Sequence, residues 1–136
     1  MNLPMTEVVF STPYYVLMDH NCRIGPEIIP LYSGVDCAPI YGFSDKNSYD
    51  KFCLRSQQAL TPYPLVKGFL RNQLGAPNNS LNLVVIDSAG PREPYLRAAT
   101  LKAVLEAQEN RTTHVTSNFR LVFKQEDNAY RVEEKS

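Results

Sequence analysis

The sequence predicts an α+β fold. It reads as one domain over residues 1–136, with a mixed or mainly antiparallel sheet of about five strands and about three helices packed on one face. Three observations predict it. Residues 28–53, IIPLYSGVDCAPIYGFSDKNSYDKFC, read as strand, turn, strand and helix in quick succession. The run LNLVVID at 81–87 has the length and β-branched content of a buried strand. Segments 64–75 and 94–108 carry apolar residues at helical spacing.

The elements follow in order. Val8 to Asp19 is rich in β-branched and aromatic residues, with a strand expected most firmly over Tyr14–Met18 and Pro13 at its start, where a missing N–H is tolerated. His20 to Pro26 is expected as a loop. Ile28–Tyr32 reads as a second strand, demoted to an edge or bulge by Pro30, and Gly34–Asp36 as a turn. Ala38–Phe43 is the third strand, and so short a connection predicts an antiparallel hairpin. Ser44 is the expected N-cap of the first helix, because its hydroxyl can accept a first-turn N–H, and Asp45 suits the positive helix end. Tyr49, Phe52 and Cys53 share one face of that helix, which should end near Ala59, before the Thr61-Pro62-Tyr63-Pro64 break.

The second helix is expected from Pro64 to Gly75, with Leu65, Val66, Phe69, Leu70 and Leu74 on its apolar stripe. Gly68 inside it costs about 1 kcal/mol relative to Ala, which a close packing contact would rationalise. The run Leu83–Ile86 suits a central strand covered on both sides. The third helix is expected over Pro94–Gln108, striped by Leu96, Ala99, Leu101, Val104 and Leu105. A C-terminal hairpin is expected from Phe119 to Val132 around a polar turn at Gln125–Asn128, and residues 127–136 are expected to fray.

Composition narrows the function. A chain that is 43% hydrophobic and 21% charged is neither disordered nor fibrous. Fourteen basic residues balance fourteen acidic ones, so the basic excess of a nucleic-acid binder is missing and no nucleic-acid partner is expected. Zero net charge also removes long-range self-repulsion and favours a homo-oligomer. No apolar run is long enough to span a membrane, and the first residues lack a signal-peptide pattern, so a cytoplasmic protein is expected. Cys22, Cys37 and Cys53 are odd in number and match no zinc spacing, which fits reduced thiols. No dinucleotide or P-loop glycine pattern occurs, and no cofactor is expected.

Candidate chemistry is sparse. Cys22 lies near His20 and Arg23, the most activating surroundings of the three thiols, but neighbours on a loop are no catalytic dyad. Asp19, His20 and Cys22 could ligate zinc, but a fourth ligand at a recognisable spacing is missing, so no metal site is expected. Asp87 ends a strand and Glu93 precedes a helix, the place where α/β enzymes put their chemistry, although Asp after a strand is also an ordinary turn residue.

The patterns YYVLMD (14–19), IIPLYSG (28–34), APIYGFSDKNSYDKF (38–52) and LVVIDSAGP (84–91 with Leu83) followed by a helix resemble the N-terminal domain of the SseB family, named for enhanced serine sensitivity. Tyr41-Gly42-Phe43-Ser44, with Tyr49 and Phe52 downstream, stands where that family has an aromatic strand end and an aromatic-bearing helix. The resemblance runs from Tyr14 to Leu105. It implies a small α+β module without an established active site, so it assigns no residue a role. Pro30, Pro39 and the 61–64 break depart from the pattern, and Phe119–Val132 extends beyond it.

The leading expectation is therefore a non-enzymatic interaction or regulatory module. Its protein partner is unknown, and it would self-associate through an aromatic sheet face bearing Tyr14, Tyr32, Tyr41, Phe119 and Phe123. The alternative is a small-molecule binder or hydrolytic enzyme with a pocket near Asp87, Ser88 and Glu93, joined by His20 or Cys22.

Overall fold

The computed structural model describes residues 8–19, 22–29, 37–56, 63–75, 81–91, 93–117 and 119–134, with backbone only for 8–10, 19, 22, 37, 38, 74, 75, 81 and 134. The expected 34–36 turn, Tyr32, His20, the helix end at Ala59, the Thr61-Pro62 break and the 76–80 loop lie outside the described residues. The strands are β1 (Val8–Ser11), β2 (Tyr15–Val16), β3 (Met18–Asp19), β4 (Cys22–Arg23), β5 (Cys37–Phe43), β6 (Tyr63–Pro64), β7 (Leu81–Ile86), β8 (Tyr95–Thr100), β9 (His114–Ser117), β10 (Phe119–Lys124) and β11 (Ala129–Glu134). The helices are α1 (Lys46–Ser56), α2 (Lys67–Gly75) and α3 (Leu101–Glu109).

The fold is α+β with an open mixed sheet, but the sheet is larger than expected. Among the described residues seven strands join in the order β11-β10-β8-β7-β5-β2-β6, rather than about five. Only the β5–β7 pairing is parallel. It must be, because α1, β6 and α2 intervene and return the chain to the same end of the sheet. A separate ribbon pairs β1 with β9, and β3, at the end of the expected first strand, pairs with β4, which lies in the segment expected as a loop.

The helices lie on both faces, which corrects the one-face expectation. Strand β7 shows why. Leu83 and Val85 join one core with Tyr41, Phe43, Leu96, Ala98, Phe119, Leu121 and the α1 residues Tyr49, Phe52 and Cys53. Val84 and Ile86 point the other way, into a second core with Val16, Leu65, Leu70, Ala99, Val115 and the α3 residues Leu101, Val104, Leu105 and Ala107. The run Leu83–Ile86, apolar at every position, needs cover on both sides, and the chain supplies it by crossing faces at the edge strand β6.

Three other expectations are corrected. Ile28 does not pair with β5; it bridges Tyr130 in parallel, and β5 lies between β2 and β7. The N-cap of α1 is Asp45, whose Oδ1 accepts the Ser48 N–H at 2.7 Å, while Ser44 is engaged elsewhere. The segment expected as the third helix begins as strand β8, and α3 starts only at Leu101, where the Thr100 hydroxyl accepts the Ala103 N–H. Leu96 and Ala98 pack into one core and Ala99 into the other, so tertiary packing overrides the helical preference of alanine. The C-terminal hairpin forms with Gln125–Asn128 as its turn, and β11 occupies much of the tail expected to fray.

Two glycines permit close packing. A Cβ on Gly42 would lie 2.4 Å from Val84 Cγ1, and one on Gly25 would lie 1.9 Å from the Pro39 carbonyl oxygen. Gly68 has open space around it, so no close contact accounts for it.

Candidate functional site

The α1 side of the sheet is only partly roofed. Helix α1 stands over β5 and β7, and the 24–29 segment forms a strap across the rest. Backbone bonds hold the strap at both ends: Tyr41 N–H to the Ile24 carbonyl at 3.0 Å, Ile24 N–H to Leu17 at 3.1 Å, Tyr130 N–H to Glu27 at 2.9 Å, and Ile29 N–H to Tyr130 at 2.9 Å. Gly25 lets the strap lie directly on β5.

Between strap, helix and C-terminal hairpin lies a cleft of about 410 Å³, within the range of small-molecule sites. Its walls include Leu17, Ile24, Tyr41, Phe52, Phe123 and Tyr130, with Glu27, Ser56 and Asn128 as polar members. The hairpin register builds one wall: a turn over Gln125–Asn128 sets Phe123 opposite Tyr130, and their rings meet edge-on at 5.2 Å. Asn128 takes the left-handed conformation at φ 50° that this turn needs. The opposite wall is a tilted Tyr41–Phe52 pair with ring centroids 4.6 Å apart.

Pro91 also lines two adjoining lobes, one with Arg55, Gly90 and Glu93 and another with Phe123, Gln125 and Asn128. In the first, the Arg55 guanidinium lies 3.7 Å from the Glu93 carboxylate. The Arg55 stem rests on Gly90, where a Cβ would come within 3.0 Å of it. The Tyr130 hydroxyl donates to the Glu93 carbonyl at 2.5 Å, tying the hairpin to the loop before β8. Burial, with Tyr130 nearby, pushes the Tyr41 phenol far above its usual range. Burial and then Glu93 raise that of Tyr130. Both remain protonated, polar but uncharged, at neutral pH.

The described residues of the expected pocket each have their own engagement. Asp87, left-handed at φ 52°, spends both carboxylate oxygens on Ser44, accepting its N–H and its hydroxyl at 2.7 Å each. It thereby clamps the C-terminal ends of the parallel strands β5 and β7. The Ser88 hydroxyl, buried, donates to the Gly90 carbonyl. Glu93 alone of that group lines the cleft system. His20 lies outside the described residues, and of Cys22 only the backbone is described, paired with Asp19. Among the described residues no group of three or more His, Cys, Asp or Glu is placed to hold a metal, and no helix is long and apolar enough to cross a membrane.

The expected aromatic sheet face is also dispersed. Tyr41 and Phe119 are buried in the α1-side core, which corrects their placement on an exposed face. Tyr14 is exposed but precedes β2, Phe123 is exposed at the cleft, and Tyr32 lies outside the described residues. Phe52, Arg55, Pro91 and Tyr130 were missed as site residues. The signal for Tyr130 was present, since a four-residue turn fixes 123 and 130 as cross-strand partners. Nothing local marks Phe52 or Pro91.

No protein-family model, no curated protein and no solved structure matches the chain, and the SseB-like resemblance rests on the sequence patterns alone.

Proposed function

We propose that the chain is a non-enzymatic cytoplasmic recognition module that holds an apolar-bodied ligand in the strap-covered cleft. One observation carries this reading: a cleft of about 410 Å³ walled by two aromatic pairs, with polar groups confined to a few positions. The neighbouring acid–base candidates support binding over catalysis, because Asp87 and Ser88 already serve as structural hydrogen-bond partners. The test is a fragment screen read by amide NMR. Binding in the cleft shifts the resonances of Phe52, Phe123, Asn128 and Tyr130; a screen whose hits leave all four unmoved removes the reading.

Self-association is a second reading, favoured by a different observation. Tyr14, Tyr63 and Val66 are each exposed by nearly half along the β2–β6 edge. Strand β6 pairs with β2, and the Leu65 N–H donates to the Tyr14 carbonyl, so these residues are neighbours on one rim. Light scattering after size exclusion tests it: a dimer that Tyr63→Lys dissociates supports the edge, and a monomer at high concentration excludes it.

A further inference from the structure

The second core, on the α2–α3 side of the sheet, takes Ala99 from β8 and, among the described residues, nothing from β10 or β11. Beyond it the same face carries charge. Alternation places Tyr95 and Arg97 of β8, Arg120 and Val122 of β10, and Arg131 and Glu133 of β11 there, because Leu96, Leu121 and Val132, which lie between them, turn to the α1-side core. The register sets them in two rows across the strands: Arg97, Arg120 and Glu133, and beside it Tyr95, Val122 and Arg131. Tyr95 is 60% exposed, and the Arg120 guanidinium stands 5.7 Å from its ring centre.

Glu133 serves two of the three guanidinia. Its Oε1 accepts from Arg120 Nε and Nη2 at 3.1 and 2.6 Å, and its Oε2 accepts from Arg131 Nη2 at 2.5 Å. Arg97 stands on the other side of Arg120, two strand spacings or about 10 Å from Glu133. It faces Arg120 directly, and in the closer kind of pair. The Phe123 N–H donates to the Pro94 carbonyl, so the alternation of the ladder leaves 97 and 120 as a non-hydrogen-bonded pair, whose side chains approach most closely. Like charges so placed repel. A second carboxylate between Arg97 and Arg120 would replace that repulsion with charge-assisted hydrogen bonds, as Glu133 does for Arg120 and Arg131.

We propose that this face, on the opposite side of the sheet from the cleft, binds an extended acidic segment of a partner protein. A carboxylate of the segment sits at Arg97 and Arg120, and an aromatic or aliphatic residue two places away lies on Tyr95 and Val122. The sheet itself sets that spacing. Its two rows are two residues apart along each strand, about 6.8 Å, and same-side residues of an extended peptide repeat at the same interval. The guanidinia select the charge, and the ring and valine supply apolar contact. The zero net charge of the chain gives a nucleic-acid backbone no long-range attraction, whereas a single carboxylate needs only the local arginine pair.

Amide NMR titration at low salt tests this with a short capped peptide in which phenylalanine stands two places from glutamate, with its glutamine counterpart, and with an oligouridylate. The glutamate peptide should shift Tyr95, Arg97, Arg120 and Val122 and bind about fivefold more tightly than the glutamine peptide. Arg97→Gln should remove that preference and keep the melting temperature within about 3 °C of wild type, because it relieves a like-charge pair. Tyr95→Ser, at an exposed position, should weaken both peptides about threefold and keep the preference. Equal affinity for the two peptides, a preference that survives Arg97→Gln, or no shifts at these four residues overturns the assignment. Tighter binding of the oligouridylate at the same amides overturns it too and makes the face a nucleic-acid surface. So does a larger fall in the melting temperature of Arg97→Gln, since Arg97 would then already hold a partner within the fold.

Discussion

The two faces of the sheet are built from the same strands and end differently. On the α2–α3 face, strand residues meet two helices, and Leu70, Val84 and Val104 are fully buried. Even the polar Gln108 is buried there, its amide donating to the Pro13 and Leu65 carbonyls at 3.0 and 3.1 Å. On the other face one helix and a six-residue strap must cover the same breadth of sheet. The shortfall is the aromatic cleft. One face is thus a closed core that stabilises the fold, and the other leaves an open cleft between helix, strap and hairpin.

The largest expected effect lies on the closed face. Leu70→Ala should cost about 2–5 kcal/mol, because the surrounding core relaxes only partly around the void. Phe123→Leu at the cleft mouth should cost about 1 kcal/mol or less. Chemical denaturation of the two variants measures the contrast, and equal losses would mean that the cleft wall is as tightly packed as the core. Gly25→Ala comes next. Its new methyl would collide with the Pro39 carbonyl, so the strap must lift, at about 1–3 kcal/mol. Hydrogen exchange should quicken at Ile29 and Tyr130, whose amides hold the strap, while α3 amides keep their protection.

Gly68→Ala works in the opposite direction. Nothing lies within reach of the added methyl, so stability should rise by about 0.4–1 kcal/mol as the unfolded chain loses freedom. A fall in melting temperature would reveal a contact not visible in the fold.

The smallest effect is electrostatic. Glu133 accepts hydrogen bonds from Arg120 and Arg131, which hold its carboxyl at about 2, below the ordinary 4.5. A depressed carboxylate stabilises the fold above its unfolded pKa and loses that contribution as pH falls through its folded one. Wild-type stability should therefore decline more than that of Glu133→Gln between about pH 4.5 and pH 2. Added salt should shrink the difference, and parallel profiles at low salt would show that the Arg120–Glu133–Arg131 contact contributes nothing.

Strands β5, β7 and the C-terminal hairpin were legible because their patterns are local: apolar runs of strand length, and a polar turn between alternating segments. The start of helix α1 was legible to within a residue, but Ser44 and Asp45 are both good caps. The choice between them depended on Asp87, distant in sequence, which engages Ser44 from the adjoining strand. The span 94–108 misled because Leu96, Ala98 and Ala99 suit a helix face as well as a crowded strand.

By itself the sequence determined the α+β class, the doubly apolar central strand and the register that sets Phe123 against Tyr130. These depend on periodicity and turn chemistry, which act over a few residues. Only the tertiary structure decided that helices cover both faces, that Tyr41 and Phe119 are interior, and that a strap from residues 24–29 docks on β11 to frame a cleft. Those outcomes depend on which distant segments compete to cover the same apolar surface, and burial of apolar area carries no label for its partner.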